Sequence, residues 1–197
     1  MVPIVSNSSN RMPKYIAIAA VTLDGKIARH KNHMSDWTSK EDKVFMRALL
    51  DKCDVIIVGN NTYKTAVGPL SKRNCIVLSK TAEPSPLTRG DVAQRVTERL
   101  LYANPQKTNL KKLIRALNYK KIAILGGAQT YTYCLQNNLF DEIYLTIEPI
   151  IFGQGVDLFA PSPSEGRVGE RVQKHKLKLF SIKKLNKQGS LLLHYKK

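Results

Sequence analysis

Cysteine is scarce in this sequence, and the three residues present, Cys53, Cys75 and Cys134, lie far apart. They form no CxxC pair and no histidine cluster accompanies them, so the sequence indicates neither a disulfide framework nor a zinc site. Long apolar runs are also lacking, because no window approaches the roughly 20 residues that a membrane-spanning helix needs. We therefore expect a cytoplasmic protein without a resident metal and without a membrane partner.

Acidic residues are few as well: 15 Asp and Glu stand against 32 Lys and Arg, which gives a formal net charge of +17. Such a charge attracts polyanions, which can be nucleic acids or phosphorylated small molecules. The basic residues are spread along the chain, and the densest run, residues 173–178, lacks the arginine and aromatic interleaving typical of a nucleic-acid platform. The composition thus favours a small-molecule partner over nucleic acid.

The chain is long enough for one sizeable core and too short for two, since 43% of its 197 residues are hydrophobic. Residues 1–13 lack the charged start and apolar core of a signal peptide, and we expect a disordered leader there. Residues 14–197 are expected to form a single domain.

Four short aliphatic runs predict strands buried on both faces, a kind of strand found in sheets covered by helices. These runs are residues 15–21, 55–58, 75–78 and 122–125. Segments with helical spacing of apolar residues alternate with them, one after Ser39 and another over residues 110–117. The alternation predicts an α/β fold with a mostly parallel central sheet and helices on both faces.

Two late runs, residues 176–185 and 190–195, predict an antiparallel hairpin at one edge of this sheet. Leu177 and Leu179 alternate with lysines in the first run, which predicts a half-buried strand.

Two glycines, Gly126 and Gly127, follow one of the buried runs and precede a segment of helical character. Ligands of open α/β sheets gather beyond the carboxyl ends of strands, where glycines let the backbone approach a phosphate held by a helix N-terminus. The same pair could serve only as a tight connection. We treat it as a candidate nucleotide-binding turn.

Asp42 is the candidate for acid–base chemistry. We expect it on the buried side of a helix, near Trp37, Phe45 and Met46, where apolar surroundings raise the pKa of a carboxyl and make it a proton donor. The alternative is an acid that only offsets the helix dipole, as its exposed neighbour Glu41 would do.

These motifs, taken in order, resemble the dihydrofolate reductase superfamily, which also contains the reductase domain of the riboflavin-biosynthesis deaminase/reductase. The resemblance covers residues 14–195. The motifs that carry it are Ile18, Ala19 and Ala20 with Asp24 and Ile27; Trp37 with Asp42; residues 59–79 with their G-x-x-T-[WY] start and PL-x-x-R continuation; residues 126–131; and residues 144–146.

The resemblance implies a single-domain dihydrofolate reductase-like fold and hydride transfer from NADPH to a pterin ring. The implied catalytic set is Asp42, Thr146 and Trp37: Asp42 promotes protonation, Thr146 hydrogen-bonds Asp42 and the substrate, and Trp37 orders the network through water. Arg73 would pair with the carboxylate of a glutamate tail. The other implied substrate contacts are Phe45, Met46 and Ala19.

The resemblance also implies a cofactor site along the carboxyl ends of the central strands. Its implied members are Ala20, Ile27, Gly59, Asn60, Asn61, Thr62, Leu78, Ser79, Lys80, Leu125, Gly126, Gly127, Ala128, Gln129, Thr130 and Tyr131. In the family a cis peptide joins the two glycines that correspond to Gly126 and Gly127. Asn60 and Gln129 stand where the family has basic residues for the adenosine phosphates, and Lys80 is expected to compensate for them.

Three functions remain open. Reduction of dihydrofolate to tetrahydrofolate is favoured, because residues 65–71 follow the folate pattern rather than the D-x-P-x-L-T-x-R segment of the riboflavin enzyme. Reduction of 5-amino-6-ribosylaminouracil 5'-phosphate is the alternative, since residues 24–28 and 37–42 match that reductase too, and Lys43 replaces an apolar residue of the folate enzyme. The third is a catalytically silent nucleotide-binding protein. Monomer and homodimer are both compatible with the sequence.

Overall fold

The computed structural model describes residues 12–82, 99–160 and 175–197. The leader expected over residues 1–13 therefore lies, except for its last two residues, outside the described part of the chain.

A single eight-stranded sheet organises the described residues. The strands of the chain are β1 (Lys14–Thr22), β2 (Lys26–Ala28), β3 (Val55–Gly59), β4 (Cys75–Leu78), β5 (Leu100–Ala103), β6 (Lys121–Leu125), β7 (Glu142–Glu148), β8 (Val156–Asp157), β9 (Lys178–Lys184) and β10 (Leu191–Lys196). The sheet order is β5-β4-β3-β6-β1-β7-β10-β9, while β2 and β8 pair separately. Neighbours from β5 to β7 run parallel, and β10 is antiparallel to both β7 and β9. The predicted mostly parallel sheet with an antiparallel C-terminal hairpin is confirmed.

Helices cover both faces of this sheet, as the sequence predicts. They are α1 (Lys40–Leu50), α2 (Asn60–Thr65), α3 (Val67–Leu70), α4 (Leu110–Ala116) and α5 (Ala128–Gln136). One core contains Leu50 of α1, Tyr63 of α2 and Leu70 of α3, and the other contains Ile114 of α4 and Cys134 of α5. The central strands contribute side chains to both cores, which explains their uninterrupted aliphatic sequence.

Helix α1 begins where its sequence provides a cap. The Ser39 side chain accepts a hydrogen bond from the backbone N–H of Asp42, with Oγ and N 3.2 Å apart. Such a cap satisfies one of the N–H groups that a helix start leaves without a partner. Asp42 in the first turn and Leu50 at the end are the buried residues of α1, so the helix rests on the sheet at both of its ends.

The outermost strand, β9, differs from the prediction. Every residue of β9 is exposed, including Phe180 at 62% and Ile182 at 58%. The half-buried strand that the alternation of Leu177 and Leu179 predicts is therefore wrong. Alternation shows that a segment is extended, but whether another layer covers one of its faces depends on distant parts of the chain.

The three thiols are free, and two of them are deeply buried. Burial raises the pKa of Cys75 to about 11 and that of Cys134 to about 12. Both are therefore protonated and act as small apolar core residues at neutral pH. No helix in the described ranges is both long and apolar enough to cross a bilayer.

Candidate active site

The candidate site lies at the carboxyl edge of three neighbouring strands, β6, β1 and β7. Ile18 of β1 is in register with Leu125, the last residue of β6, and Ala20 is in register with Thr146 of β7. The Gly126–Gly127 turn and Thr146 are therefore separated by two strand spacings, about 10 Å. Ala19 and Ala20, which are half-buried, lie between them.

Asp42 reaches this edge from the first turn of α1, and only 6% of it is exposed. Burial raises the pKa of its carboxyl, whereas hydrogen bonds to the hydroxyls of Thr146 and Thr38 act in the opposite direction. The negative charge of Glu148 adds to the rise, and the positive charge of Lys43 reduces it. The net effect keeps a proton on Asp42 at higher pH than on a free aspartic acid, as a proton donor requires.

Trp37 ends a 3-10 turn (Ser35–Trp37) that leads into α1. Its indole packs edge-on against Phe152, with 5.2 Å between ring centroids. The indole Nε1 is buried and has no hydrogen-bond partner among the described residues. A buried donor of this kind is a place where a water or a bound ligand is expected.

Phe45 and Met46 lie on the side of α1 that faces the sheet, and both are half-buried. The rings of Phe45 and Tyr144 are 5.5 Å apart, and Met46 packs against the core that contains Leu50. The structure thus brings Asp42, Thr146, Trp37, Phe45 and Met46 together around the first turns of α1.

Arg73 lies at the opposite end of α1. Its Nη1 is 2.6 Å from Oδ1 of Asp51, the residue that caps α1 at its C-terminus. Asp42 and Asp51 are nine positions apart, which corresponds to about 14 Å along a helix. The structure therefore does not bring Arg73 to Asp42, and its guanidinium already has a carboxylate partner.

The two glycines after β6 adopt backbone angles that favour glycine. Their φ values are +36° at Gly126 and +52° at Gly127, and the described residues contain no cis peptide. The cis bond that the family resemblance implies is therefore replaced here by a trans bond with left-handed angles. A Cβ on Gly127 would lie 3.3 Å from Oγ1 of Thr62, so the turn also approaches α2 closely.

Gly59 at the end of β3 allows a similar approach. A Cβ there would lie only 2.7 Å from Oγ1 of Thr130, and the Gly59 N–H donates to the Gly126 carbonyl over 3.3 Å. The turns after β3 and β6 are therefore joined, with α2 starting at one and α5 at the other. The glycines let these two turns pack closely together, at the edge where the family resemblance implies the cofactor.

The remaining implied cofactor residues follow this edge. Asn60, Asn61 and Thr62 form the first turn of α2; Leu78 ends β4, with Ser79 and Lys80 after it; Leu125 ends β6; Ala128 and Gln129 start α5; and Ile27 is in β2. Gly127 caps α5 without a side-chain hydrogen bond, and the Thr62 side chain lies close to it. Among the implied cofactor residues, Lys80 is exposed.

Four of the implied cofactor residues are instead buried in the protein interior: Leu78, Ala128, Thr130 and Tyr131. Tyr131 is 4% exposed, its hydroxyl donates to the Ile18 carbonyl, and burial raises its pKa. Thr130 is also 4% exposed and packs against Gly59. Their place is beneath the glycine turns, which they support from below.

Sequence reasoning missed Thr38 and Glu148, which both act on Asp42. Thr38 directly precedes the helix cap, and Glu148 stands two positions after Thr146 in the same strand. Because side chains alternate along a strand, Glu148 and Thr146 share a face. That spacing is the signal that could have identified Glu148.

The family model described as the RibD C-terminal domain matches residues 13–189. The chain belongs to the RibD C-terminal domain family. The predicted membership of the dihydrofolate reductase-like superfamily is thereby confirmed.

Two relatives illustrate the range of this family. Uncharacterized protein YwjB of Bacillus subtilis (strain 168) is 24% identical over 178 residues, which cover 82% of this chain and 96% of YwjB. Riboflavin biosynthesis protein RibD of Aquifex aeolicus (strain VF5) is 23% identical over 206 residues, which cover 90% of this chain. The match covers 56% of that RibD, so the chain spans little more than half its length.

Solved structures show the same fold. A putative riboflavin biosynthesis protein from Shewanella sp. PV-4 has a TM-score of 0.64 and 23% identity, with 92% of this chain and 97% of that chain covered. Dihydrofolate reductase from Enterococcus faecalis, complexed with NADP(H) and RAB-propyl, has a TM-score of 0.58 and 18% identity, with 94% and 97% covered. At these identities the likeness establishes the fold of the RibD C-terminal domain and leaves its substrate to be argued from the site.

Proposed function

We propose that this chain is an NADPH-dependent reductase whose substrate is 5-amino-6-ribosylaminouracil 5'-phosphate. The observation that carries the proposal is the buried Asp42 carboxyl, with Thr146 and Thr38 as hydroxyl partners, at the strand edge that also carries the Gly126–Gly127 turn.

The ribosylamine must first open to an imine, in which the bond from C1' to the ring oxygen breaks and a C1'=N bond forms. The reductase then has to place a hydride on C1' and a proton on the nitrogen. Bound NADPH would supply the hydride. Asp42 would supply the proton, because its raised pKa keeps the carboxyl protonated further toward neutral pH. Thr146 would hold the carboxyl in place, while Phe45 and Met46 would exclude water from the reacting bond.

The glycine turns after β3 and β6 would hold the cofactor. Gly126 and Gly127 lie at the start of α5, and Gly59 lies at the start of α2. Neutral Asn60 and Gln129 at these starts give no strong preference for a 2'-phosphate, so the choice of NADPH over NADH would depend on Lys80.

The comparison with relatives favours the aminouracil over dihydrofolate. The family matched is that of the RibD C-terminal domain, and several similar proteins are named for riboflavin biosynthesis. The dihydrofolate prediction rests on the pattern of residues 65–71 and on Arg73 as a clamp for a glutamate tail, and the Arg73 guanidinium is paired here with Asp51. Lys43, beside Asp42, fits a phosphorylated substrate better than an apolar pterin surface.

The test is oxidation of NADPH by the purified chain, measured separately with the ribosylaminouracil phosphate and with dihydrofolate. We expect turnover with the aminouracil and little with dihydrofolate. Turnover with dihydrofolate alone would restore the folate prediction. If neither substrate is reduced although NADPH binds, the chain is a silent nucleotide-binding protein. A parallel reaction with NADH measures the cofactor preference.

A further inference from the structure

Three successive contacts hold α1 against one face of β7. The Phe45 ring lies tilted against that of Tyr144 with centroids 5.5 Å apart, Asp42 contacts Thr146, and Ser39 donates hydrogen bonds to Glu148. The strand positions are two residues apart and therefore share a face, while the helix positions are three apart and therefore share a side. The contacts of Asp42 and of the cap residue Ser39 lie at the start of α1.

Glu148 is the least expected member of this series, because it is an acid that is only 3% exposed. Its Oε1 accepts hydrogen bonds from the Ser39 backbone N at 2.8 Å and from Ser39 Oγ at 2.7 Å. Its Oε2 accepts one from the Ser190 hydroxyl. Within the described ranges no cationic side chain pairs with Glu148.

A buried carboxylate without a cation is costly, so neutral donors must stabilise it. The donors found here connect separate parts of the chain. Ser39 is the cap of α1, and Ser190 precedes β10. Asn186 donates to Ser190 Oγ at 2.9 Å and also reaches Glu41 Oε2 at 3.3 Å. Glu148 thus ties the start of α1 to the turn between β9 and β10.

The bonding also orients the Ser39 hydroxyl. A serine hydroxyl has one proton, and Ser39 gives it to Glu148. The lone pairs of Ser39 Oγ are then free to accept the N–H of Asp42, which lies 3.2 Å away. The position of the Asp42 backbone therefore depends on Glu148 through one intervening oxygen.

We infer that Glu148 is a positioning residue for Asp42, acting through Ser39 and through its own negative charge. The inference rests on the proposed reductase function. Its electrostatic part agrees with the other groups that face Asp42: the hydroxyls of Thr146 and Thr38 and the cation of Lys43 favour ionisation, whereas Glu148 opposes it.

The test compares Glu148→Gln with Glu41→Gln in the full chain. Gln keeps the shape of Glu148 and removes its charge. Glu41 is the control because it is an exposed acid in the helical turn that carries Asp42, and it also contacts Asn186. For Glu148→Gln we expect kcat to fall about tenfold while KM stays within about twofold. The pH at which kcat begins to decline should be lower in Glu148→Gln than in the wild type, because Asp42 loses its proton more easily without the neighbouring negative charge.

For Glu41→Gln we expect neither change. Equal kcat values and equal pH profiles for the two variants would overturn the inference. If Glu148→Gln fails to fold, Ser39→Ala and Ser39→Thr replace it, since only the threonine keeps the bridging hydroxyl. We expect kcat to fall in Ser39→Ala and to recover in Ser39→Thr. Equal kcat values for the two variants would contradict the positioning of Asp42 by Glu148 through Ser39.

A second readout separates this inference from the proposed function. The carboxyl carbon of Asp42 can be titrated by NMR in the carboxyl-labelled chain and assigned by its absence in Asp42→Asn. If the wild-type chain reduces neither substrate, the reductase proposal fails. Even then, the midpoint of the Asp42 titration by NMR should be lower in Glu148→Gln than in the wild type. An unchanged titration midpoint would refute the action of Glu148 on Asp42.

Discussion

The two ends of α1 handle charge in different ways. At the N-terminal end, Asp42 and Glu148 are buried and hydroxyl groups are their partners. At the C-terminal end, the Asp51 side chain is 63% exposed and pairs with Arg73. An exposed pair of this kind contributes about 0–1 kcal/mol and can exchange partners easily. At the N-terminal end the buried carboxyl of Asp42 is held in one position, as a proton donor requires. At the C-terminal end the Arg73–Asp51 pair is not held in this way.

This difference bears on the substrate. A folate would use both ends of α1, its ring at Asp42 and its glutamate tail at Arg73. A ribosylaminouracil phosphate would use only the first end, together with nearby cations such as Lys43. Substitutions at each end of α1 therefore show separately whether that end takes part in substrate binding or turnover.

The largest expected effect is that of Asp42→Asn. The amide cannot give up a proton as a carboxylic acid does, so we expect turnover to fall by about 10² or more. NADPH affinity, measured by quenching of Trp37 fluorescence or by calorimetry, should stay within about twofold because the glycine turns are unchanged. Near-normal turnover would remove Asp42 from the mechanism.

Gly127→Ala should weaken NADPH binding without changing the environment of Asp42. A side chain at φ +52° is strained, and its Cβ would lie 3.3 Å from the Thr62 hydroxyl. We expect the Kd of NADPH to rise about tenfold at this close backbone approach, with the pH dependence of kcat unchanged. Gly68→Ala is the control, because a Cβ at Gly68 has no neighbour within 4 Å. Equal Kd values for the two variants would contradict the binding of NADPH at this turn.

Thr146→Val tests the polar surroundings of Asp42 at the first end of α1. The Thr146 hydroxyl lowers the pKa of Asp42, so its loss should raise that pKa further. The decline of kcat with rising pH should then move to higher pH, opposite in direction to the change expected for Glu148→Gln. We expect kcat itself to fall several-fold, because the carboxyl is held less firmly. A shift toward lower pH would show that Thr146 does not stabilise the ionised form.

Arg73→Leu should have the smallest effect if the aminouracil is the substrate. The KM for that substrate should change by less than about twofold, since only an exposed ion pair is lost. Asp51→Asn, which frees Arg73 without removing it, serves as the matched variant. A large rise in KM for dihydrofolate in Arg73→Leu alone would show that the second end of α1 binds a substrate tail.

The sequence predicts much of the fold because its signals are local. Uninterrupted aliphatic runs such as residues 122–125 indicate doubly covered strands, and Ser39 before two acids indicates a helix start. The burial of Asp42 follows from the spacing of apolar residues along α1.

The features that the sequence does not predict depend on contacts between distant segments. The exposure of β9 depends on what covers its faces, and the pairing of Arg73 with Asp51 depends on how a loop meets the end of α1. The bond from Ser39 to Glu148 joins residues 109 positions apart. The left-handed angles of Gly126 and Gly127 are open to any glycine pair, so the sequence alone leaves the peptide geometry undetermined.

The most direct test of the account is the rate of NADPH oxidation with the ribosylaminouracil phosphate, measured as a function of pH. Asp42 must be protonated to act, and burial raises its pKa. We predict turnover that declines as the pH rises through the pKa of Asp42, and a loss of this turnover in Asp42→Asn. Absence of turnover with the aminouracil, or turnover that increases with pH and survives in Asp42→Asn, would contradict it.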